Sequence, residues 1–231
     1  MYMLLHIKYT FLFRVRTGEL AMKGIIFDLD GVIIHTDHYH YLAWKKVCDM
    51  YQLEFDTLLN NQLRGVSRME SLDIILSYNK KVFSSELKDH IANLKNEFYK
   101  TYLSELTQND LDIDTKKTLQ VLKDRGYKLA IGSSSRNAKF ILINIGLLDF
   151  FDVISDGTNI SKSKPDPEVF IKAATWLNLQ YDECAVVEDA IAGLEAAKSG
   201  GMIAIGMGDA AYHKLADYSL NFFSDLLSIF K

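Results

Sequence analysis

Asp28 and Asp30 stand two residues apart at the end of a short apolar run, Ile25-Ile26-Phe27, and Gly31 follows them. Such a run reads as a buried strand. Side chains two apart on a strand face the same way, so both carboxylates point together into the space beyond its end. Like charges that close are costly unless a cation lies between them. Mg²⁺ suits the pair, because it is a hard ion that takes carboxylate, phosphate and water oxygens. Other polar groups occupy loops further on: Ser133 after a predicted strand over 127–131, Lys164 ahead of a helix, and Glu188-Asp189 after a strand over 185–187. Each has an ordinary reading when taken alone. Acidic turns, helix-capping serines, Lys-Pro loops and solvated Glu-Asp pairs are all common. Their shared placement is what points to chemistry.

That placement depends on the elements around them. From about residue 115 helical and strand patterns alternate: a helix over 115–125 stopped by Gly126, the strand over 127–131, a helix over 137–145 stopped by Gly146, and a strand over 151–154. Asp166 and Pro167 then open a helix as N-cap and first position, and the strand over 185–187 and a helix over 190–199 follow. Strands over 202–205 and near 218–220 precede a closing helix. Repeated alternation predicts an α/β fold with a doubly wound parallel sheet. In such a sheet the strand C-terminal ends share one edge, and ligands bind in the crevice there. Asp28, Asp30, Ser133, Lys164, Glu188 and Asp189 should converge on it.

The set suits a phosphoryl group. A serine-rich loop entering a helix offers N–H donors to phosphate oxygens, and Lys164 adds a positive charge. Mg²⁺ held by Asp28, Asp189 and Glu188 offsets the remaining charge. Asp28 is then the nucleophile, forming an aspartyl phosphate. Asp30 gives and takes the proton at the attacking or leaving hydroxyl; it belongs to the acidic set around the metal without needing to ligate through its side chain.

Between the first strand and the alternating half lies a helical block. His40, Trp44, Val47 and Tyr51 fall on one helix face; Ser67 caps a helix over 68–77; and Leu87, Ile91, Leu94 and Phe98 share a face of a helix opening at Ser84. A histidine on such a face is usually a core residue, but His40 lies only ten residues after Asp30, so it is a candidate for the site. The expected organisation is a core of 22–36 and 105–231 with an inserted helical domain over 37–104. Residues 1–21 are apolar but broken by His6, Lys8, Arg14 and Arg16, too interrupted for a membrane span or signal peptide. They read as an extension upstream of a true start at Met22.

With 231 residues, 48% of them hydrophobic, and a net charge of −4, the chain can fill a core and has no basic arm for nucleic acid. Cys48 and Cys184 sit in apolar patterns and read as buried free thiols of a cytoplasmic protein.

Four motifs in this order resemble those of the haloacid dehalogenase superfamily, over nearly everything from residue 23 onward. The resemblance implies an α/β core of that type with a small helical cap, and puts its nucleophile and acid/base on Asp28 and Asp30. Its phosphate-binding hydroxyl falls on Ser133, its lysine on Lys164 and its metal carboxylates on Glu188 and Asp189. The insert is similar to that of the β-phosphoglucomutase branch, through Thr36, Tyr39-His40, Ala43-Trp44, Leu63, Gly65-Val66-Ser67-Arg68, Ser71-Leu72 and Lys95-Asn96, with Ser135-Arg136-Asn137 in the core. By that resemblance Arg68 grips the non-transferring phosphate of a hexose bisphosphate. Gly65, Val66, Ser135, Arg136 and Asn137 line the pocket, with Thr36, Trp44, Ser67 and Lys95 beside them. His40 at the hinge couples cap closure to Asp30. His35 stands where aspartate is usual, Arg136 where lysine is usual, and Asp112–Thr115 replaces a Pro-Gly turn. The implied activity interconverts β-D-glucose 1-phosphate and 6-phosphate through the 1,6-bisphosphate in a monomer. The alternative is a phosphatase acting on a sugar or polyol phosphate; a partner-binding module that keeps only the fold is a third reading.

Overall fold

The computed structural model describes residues 22–231; the expected extension 1–21 lies outside the described residues. Six strands form one parallel sheet: β1 (Gly24–Phe27), β2 (Lys128–Gly132), β3 (Val153–Ser155), β4 (Cys184–Glu188), β5 (Ile203–Gly206) and β6 (Tyr218–Ser219). Their order is β3-β2-β1-β4-β5-β6. The chain builds outward from β1 to β3, then crosses back and builds from β4 to β6. The reversal falls between β1 and β4, which is where a doubly wound sheet opens its crevice. Phe27 is in register with Ile131 on β2 and Val187 on β4. The next residues, Asp28 and Glu188, therefore stand side by side at the strand ends, and Asp28 N–H donates to Val187 O at 2.9 Å.

Alternation along the strands feeds two cores. Ile25, Phe27, Leu129, Ile131, Ala185 and Val187 pack to one side with Leu119 and Leu122 of α5 (Ile113–Asp124) and Ile141 of α6 (Ala138–Asn144). Ile26, Ala130, Val186 and Ala204 face the other, against Val169 and Phe170 of α7 (Glu168–Trp176) and Leu194 of α8 (Ile191–Ser199). Both faces are covered, so the strands are apolar throughout rather than alternating. The short closing helix, over Leu226–Ile229, buries Leu226 in the first core.

Residues 37–103 are helical: α1 (Asp37–Met50), α2 (Thr57–Asn61), α3 (Arg68–Tyr78) and α4 (Ser85–Leu103). Trp44, Val47, Leu59, Leu72, Ile75 and Ile91 form a third core of their own. Ser67 caps α3 in a capping box with Glu70, and Ser84 caps α4. Three details differ from the periodicity. The five residues of α2 are too few to show a period; Asp56 starts it by accepting from Leu59 N–H at 2.8 Å. Helix α5 begins at Ile113 because Asp112 caps it through Asp114 and Thr115 N–H. Pro167 precedes α7 rather than opening it, while Asp166 accepts from Glu168 N–H at 3.0 Å. Cys48 and Cys184 are buried free thiols.

Candidate active site

The strand tips bring three carboxylates together. One ligand oxygen from each of Asp28, Glu188 and Asp189 lies within 4.8 Å of the others, and all three residues are buried. Lys164 Nζ, 1% exposed, donates to both Asp28 Oδ1 and Glu188 Oε1. Glu188 Oε2 accepts from Ala190 N–H at 2.9 Å. Burial pushes the Asp28 carboxyl well above its ordinary range; Lys164 opposes this, while Glu188, Asp189 and Asp30 add to it. Asp189 is raised to about 7, by burial first and then by Glu188. Burial disfavours the Lys164 charge, yet Asp28 and Glu188 outweigh it and hold the ammonium above its usual range.

One ammonium thus faces three acids in a buried place. An all-oxygen donor set with surplus negative charge fits a hard dication such as Mg²⁺, which Asp28, Glu188 and Asp189 would hold. Two glycines leave room for these acids. A Cβ on Gly31, at φ +88°, would lie 2.1 Å from Asp189 Oδ2, and one on Gly193 would lie 2.0 Å from Glu188 Oε1.

Asp30, expected in the same acidic set, stands outside this group. Its Oδ1 accepts from the Thr36 hydroxyl, which in turn accepts from Tyr99 O–H at 3.0 Å. Burial raises the Asp30 pKa to about 6, with the Thr36 hydrogen bond opposing. Thr36 flanks α1 but makes no side-chain capping bond, because its hydroxyl is engaged by Asp30. It is fully buried and positions Asp30 instead of lining the crevice as expected. Tyr99 was not singled out from sequence; the available signal was its place one turn after Lys95 on α4.

A crevice of about 1010 Å³ opens above the acids, and residues of the helical block close its far side. Ser133 follows β2; its Oγ accepts from Ser135 N–H at 3.1 Å, and Ser135 Oγ accepts from Asn137 N–H at 3.2 Å. Asn137 Nδ2 donates to Asn96 Oδ1 on α4 at 2.9 Å, joining core to helical block. Gly65, Val66, Ser67, Arg68, Ser135 and Arg136 all line the crevice. Arg68 Nη1 donates to Ala92 O at 3.2 Å, and burial followed by the nearby Arg136 lowers the Arg68 pKa. Two cations in mutual repulsion make a ready anion site. Lys95 Nζ contacts His40 Nδ1 and lies 4.3 Å from the Tyr99 ring centroid. Trp44, expected on the substrate wall, lines the crevice but is 2% exposed and is packed into the third core. Arg64 and Asp37 also line the crevice and were not singled out; nothing in their spacing marked them.

A family profile described as haloacid dehalogenase-like hydrolase matches residues 25–207. The chain belongs to that family. A β-phosphoglucomutase of Bacillus subtilis is 41% identical over 207 residues, 89% of this chain and 92% of that protein. A phosphorylated-carbohydrate phosphatase of Thermotoga maritima is 31% identical over 186 residues, covering 78% and 82%. Among solved structures, a β-phosphoglucomutase of Clostridium difficile superposes with a TM-score of 0.84 at 38% identity, covering 89% and 93%. A haloacid dehalogenase-like core with a helical insert is therefore the fold, and an enzyme of that family is the class. Among the described residues no helix is long and apolar enough to cross a membrane.

Proposed function

We propose that the protein is a Mg²⁺-dependent β-phosphoglucomutase in which the helical block over 37–104 serves as a cap. The observation that carries this reading is the pair Arg68 and Arg136 on the same crevice as the acid cluster. A hydrolase needs one phosphate site, whereas a mutase must also hold the phosphate that is not moving. The 41% identical mutase relative supports the same choice.

In this reading the cycle starts from phospho-Asp28: Asp30 removes the proton from a hydroxyl of the hexose monophosphate as that oxygen bonds to phosphorus and the bond to Asp28 breaks, giving the 1,6-bisphosphate. The bisphosphate turns over in the crevice. An Asp28 oxygen then attacks the other phosphorus as its bond to the sugar oxygen breaks, and Asp30 protonates the leaving oxygen, which releases the isomeric monophosphate and restores phospho-Asp28. An Asp30 pKa of about 6 suits a group that must both give and take a proton near neutrality. Lys164 and the Ser133 loop hold the transferring oxygens, with N–H groups entering α6 adding to them. Bound Mg²⁺ supplies charge neutralisation at the phosphoryl oxygens. Lys95 and His40 are placed to orient sugar hydroxyls and to link the cap to Asp30.

The test is incubation with each anomer of glucose 1-phosphate, Mg²⁺ and a trace of the 1,6-bisphosphate, assaying glucose 6-phosphate and free phosphate together. Glucose 6-phosphate from the β anomer supports the mutase. Stoichiometric free phosphate instead marks the phosphatase, an activity named for the relative in Thermotoga maritima.

A further inference from the structure

Arg64 follows α2 in the helical block, and its guanidinium is shared among carboxylates from separate parts of the chain. Nη2 meets Asp37 Oδ2 at 2.6 Å, where the chain enters α1. Nη1 meets Asp209 Oδ2 at 2.8 Å, in the turn that follows β5 of the core. The same Nη1 is 3.8 Å from Asp189 Oδ2 in the acid cluster. The guanidinium fork is rigid, so a carboxylate on one edge fixes the direction of the other. Asp37 belongs to the helical block and moves with Arg64. It therefore holds the fork ready for Asp209 and lowers the side-chain entropy lost when the two parts meet. Movement of the block away from the core separates Arg64 from Asp209 and leaves the Asp37 contact intact.

We propose that the Arg64–Asp209 pair is a latch that holds the cap closed over phospho-Asp28, and so sets how the phosphoryl group divides between sugar and water. The inference rests on the function proposed above. In the open form water competes: its oxygen bonds to phosphorus, Asp30 takes its proton, the bond to Asp28 breaks, and inorganic phosphate leaves. In the closed form the sugar hydroxyl takes that place and water is excluded. The Asp209 side chain is 81% exposed, so screening keeps the contact weak. Its loss is expected to shift the open–closed balance by about two- to fivefold, as an exposed ion pair does. That is small for stability but direct in its effect on the product ratio. Asp209 does not line the crevice, so it is a positioning residue.

The experiment compares wild type with Asp209→Asn and Asp209→Glu, using β-glucose 1-phosphate, Mg²⁺ and trace 1,6-bisphosphate. Asp209→Asn is expected to raise free phosphate per glucose 6-phosphate by about two- to fivefold and to raise KM similarly; Asp209→Glu stays near wild type. At about 1 M NaCl, where the Debye length is about 3 Å, wild type approaches Asp209→Asn while the variant's own ratio holds. Small-angle scattering without substrate reads the closure independently, and Asp209→Asn should show the larger radius of gyration. An unchanged product ratio, or an unchanged radius, in Asp209→Asn overturns the latch. If wild type makes no glucose 6-phosphate, the mutase reading fails instead, and the latch is decided by the radius and by KM for the hydrolysed sugar phosphate.

Discussion

Lys95 Nζ lies 2.9 Å from His40 Nδ1, two basic groups from α4 and α1 in direct contact. Burial, then Lys95 and Arg68, holds the His40 pKa well below its ordinary value. Burial followed by Arg68 lowers Lys95 as well. His40 is thus held neutral beside Lys95, and which of the two donates in their contact follows the His40 tautomer.

This pair gives a pH dependence with a definite sign. The folded His40 pKa is depressed, so below about 6.5 the unfolded chain binds more protons and stability falls as pH drops. Asp30 and Asp189, raised to about 6 and about 7, act with the opposite sign over the same range, so the His40 contribution is read as a difference. Urea unfolding at pH 7.5 and 5.5 should show wild type losing stability relative to the His40→Gln variant over that interval. The same change in both proteins excludes a His40 held neutral by its surroundings.

Lys164 bridges Asp28 and Glu188 in a buried setting. Lys164→Met leaves two buried acids without their cation. Unfolding free energy without metal is expected to fall by about 3–5 kcal/mol, the cost of breaking a buried pair from one side. Saturating Mg²⁺ should recover part of it, because the dication replaces the lost charge. A metal-independent loss argues that the acids do not bind the ion.

Gly193 gives Glu188 its space, since an added Cβ would lie 2.0 Å from the carboxylate. Gly193→Ala should displace Glu188 and weaken Mg²⁺ binding by about 10–100-fold, as loss of ligand support does. Calorimetric titration with Mg²⁺ measures this directly, and wild-type affinity in the variant removes Glu188 from the ligand set.

Asp28→Asn should lower phosphoryl transfer by at least about 1000-fold, because an amide oxygen is a poor nucleophile. Mass spectrometry after rapid quench should find the phosphorylated chain in wild type alone.

Arg68→Ala should reduce glucose 6-phosphate formation by about 10–100-fold, the worth of a charged hydrogen bond to phosphate, while sparing slow hydrolysis. An unchanged mutase rate assigns the second phosphate to other groups.

The elements of both the sheet and the helical block were legible from particular residues. Gly126 and Gly146 follow helix ends, Ser67 and Ser84 start helices, and the runs at 25–27 and 185–187 are apolar because both faces of the sheet are covered. These are local effects of backbone geometry and capping, which neighbouring residues determine. The placement of Asp28, Ser133 and Glu188 at strand ends followed from the same local pattern. Helix α2 escaped notice because five residues show no period, and Asp56 alone marks its start.

The amino-acid order by itself determined which side chains stand at the tips of β1, β2 and β4, since strand length and loop chemistry are settled within a few residues. Only the tertiary structure decided their partners. Thr36 serves Asp30 rather than the crevice wall, Trp44 anchors the helical core, and Arg64 reaches Asp209, 145 positions away. Such contacts come from how the helical block rests on the sheet, and a long-range packing angle leaves no period or spacing in the chain.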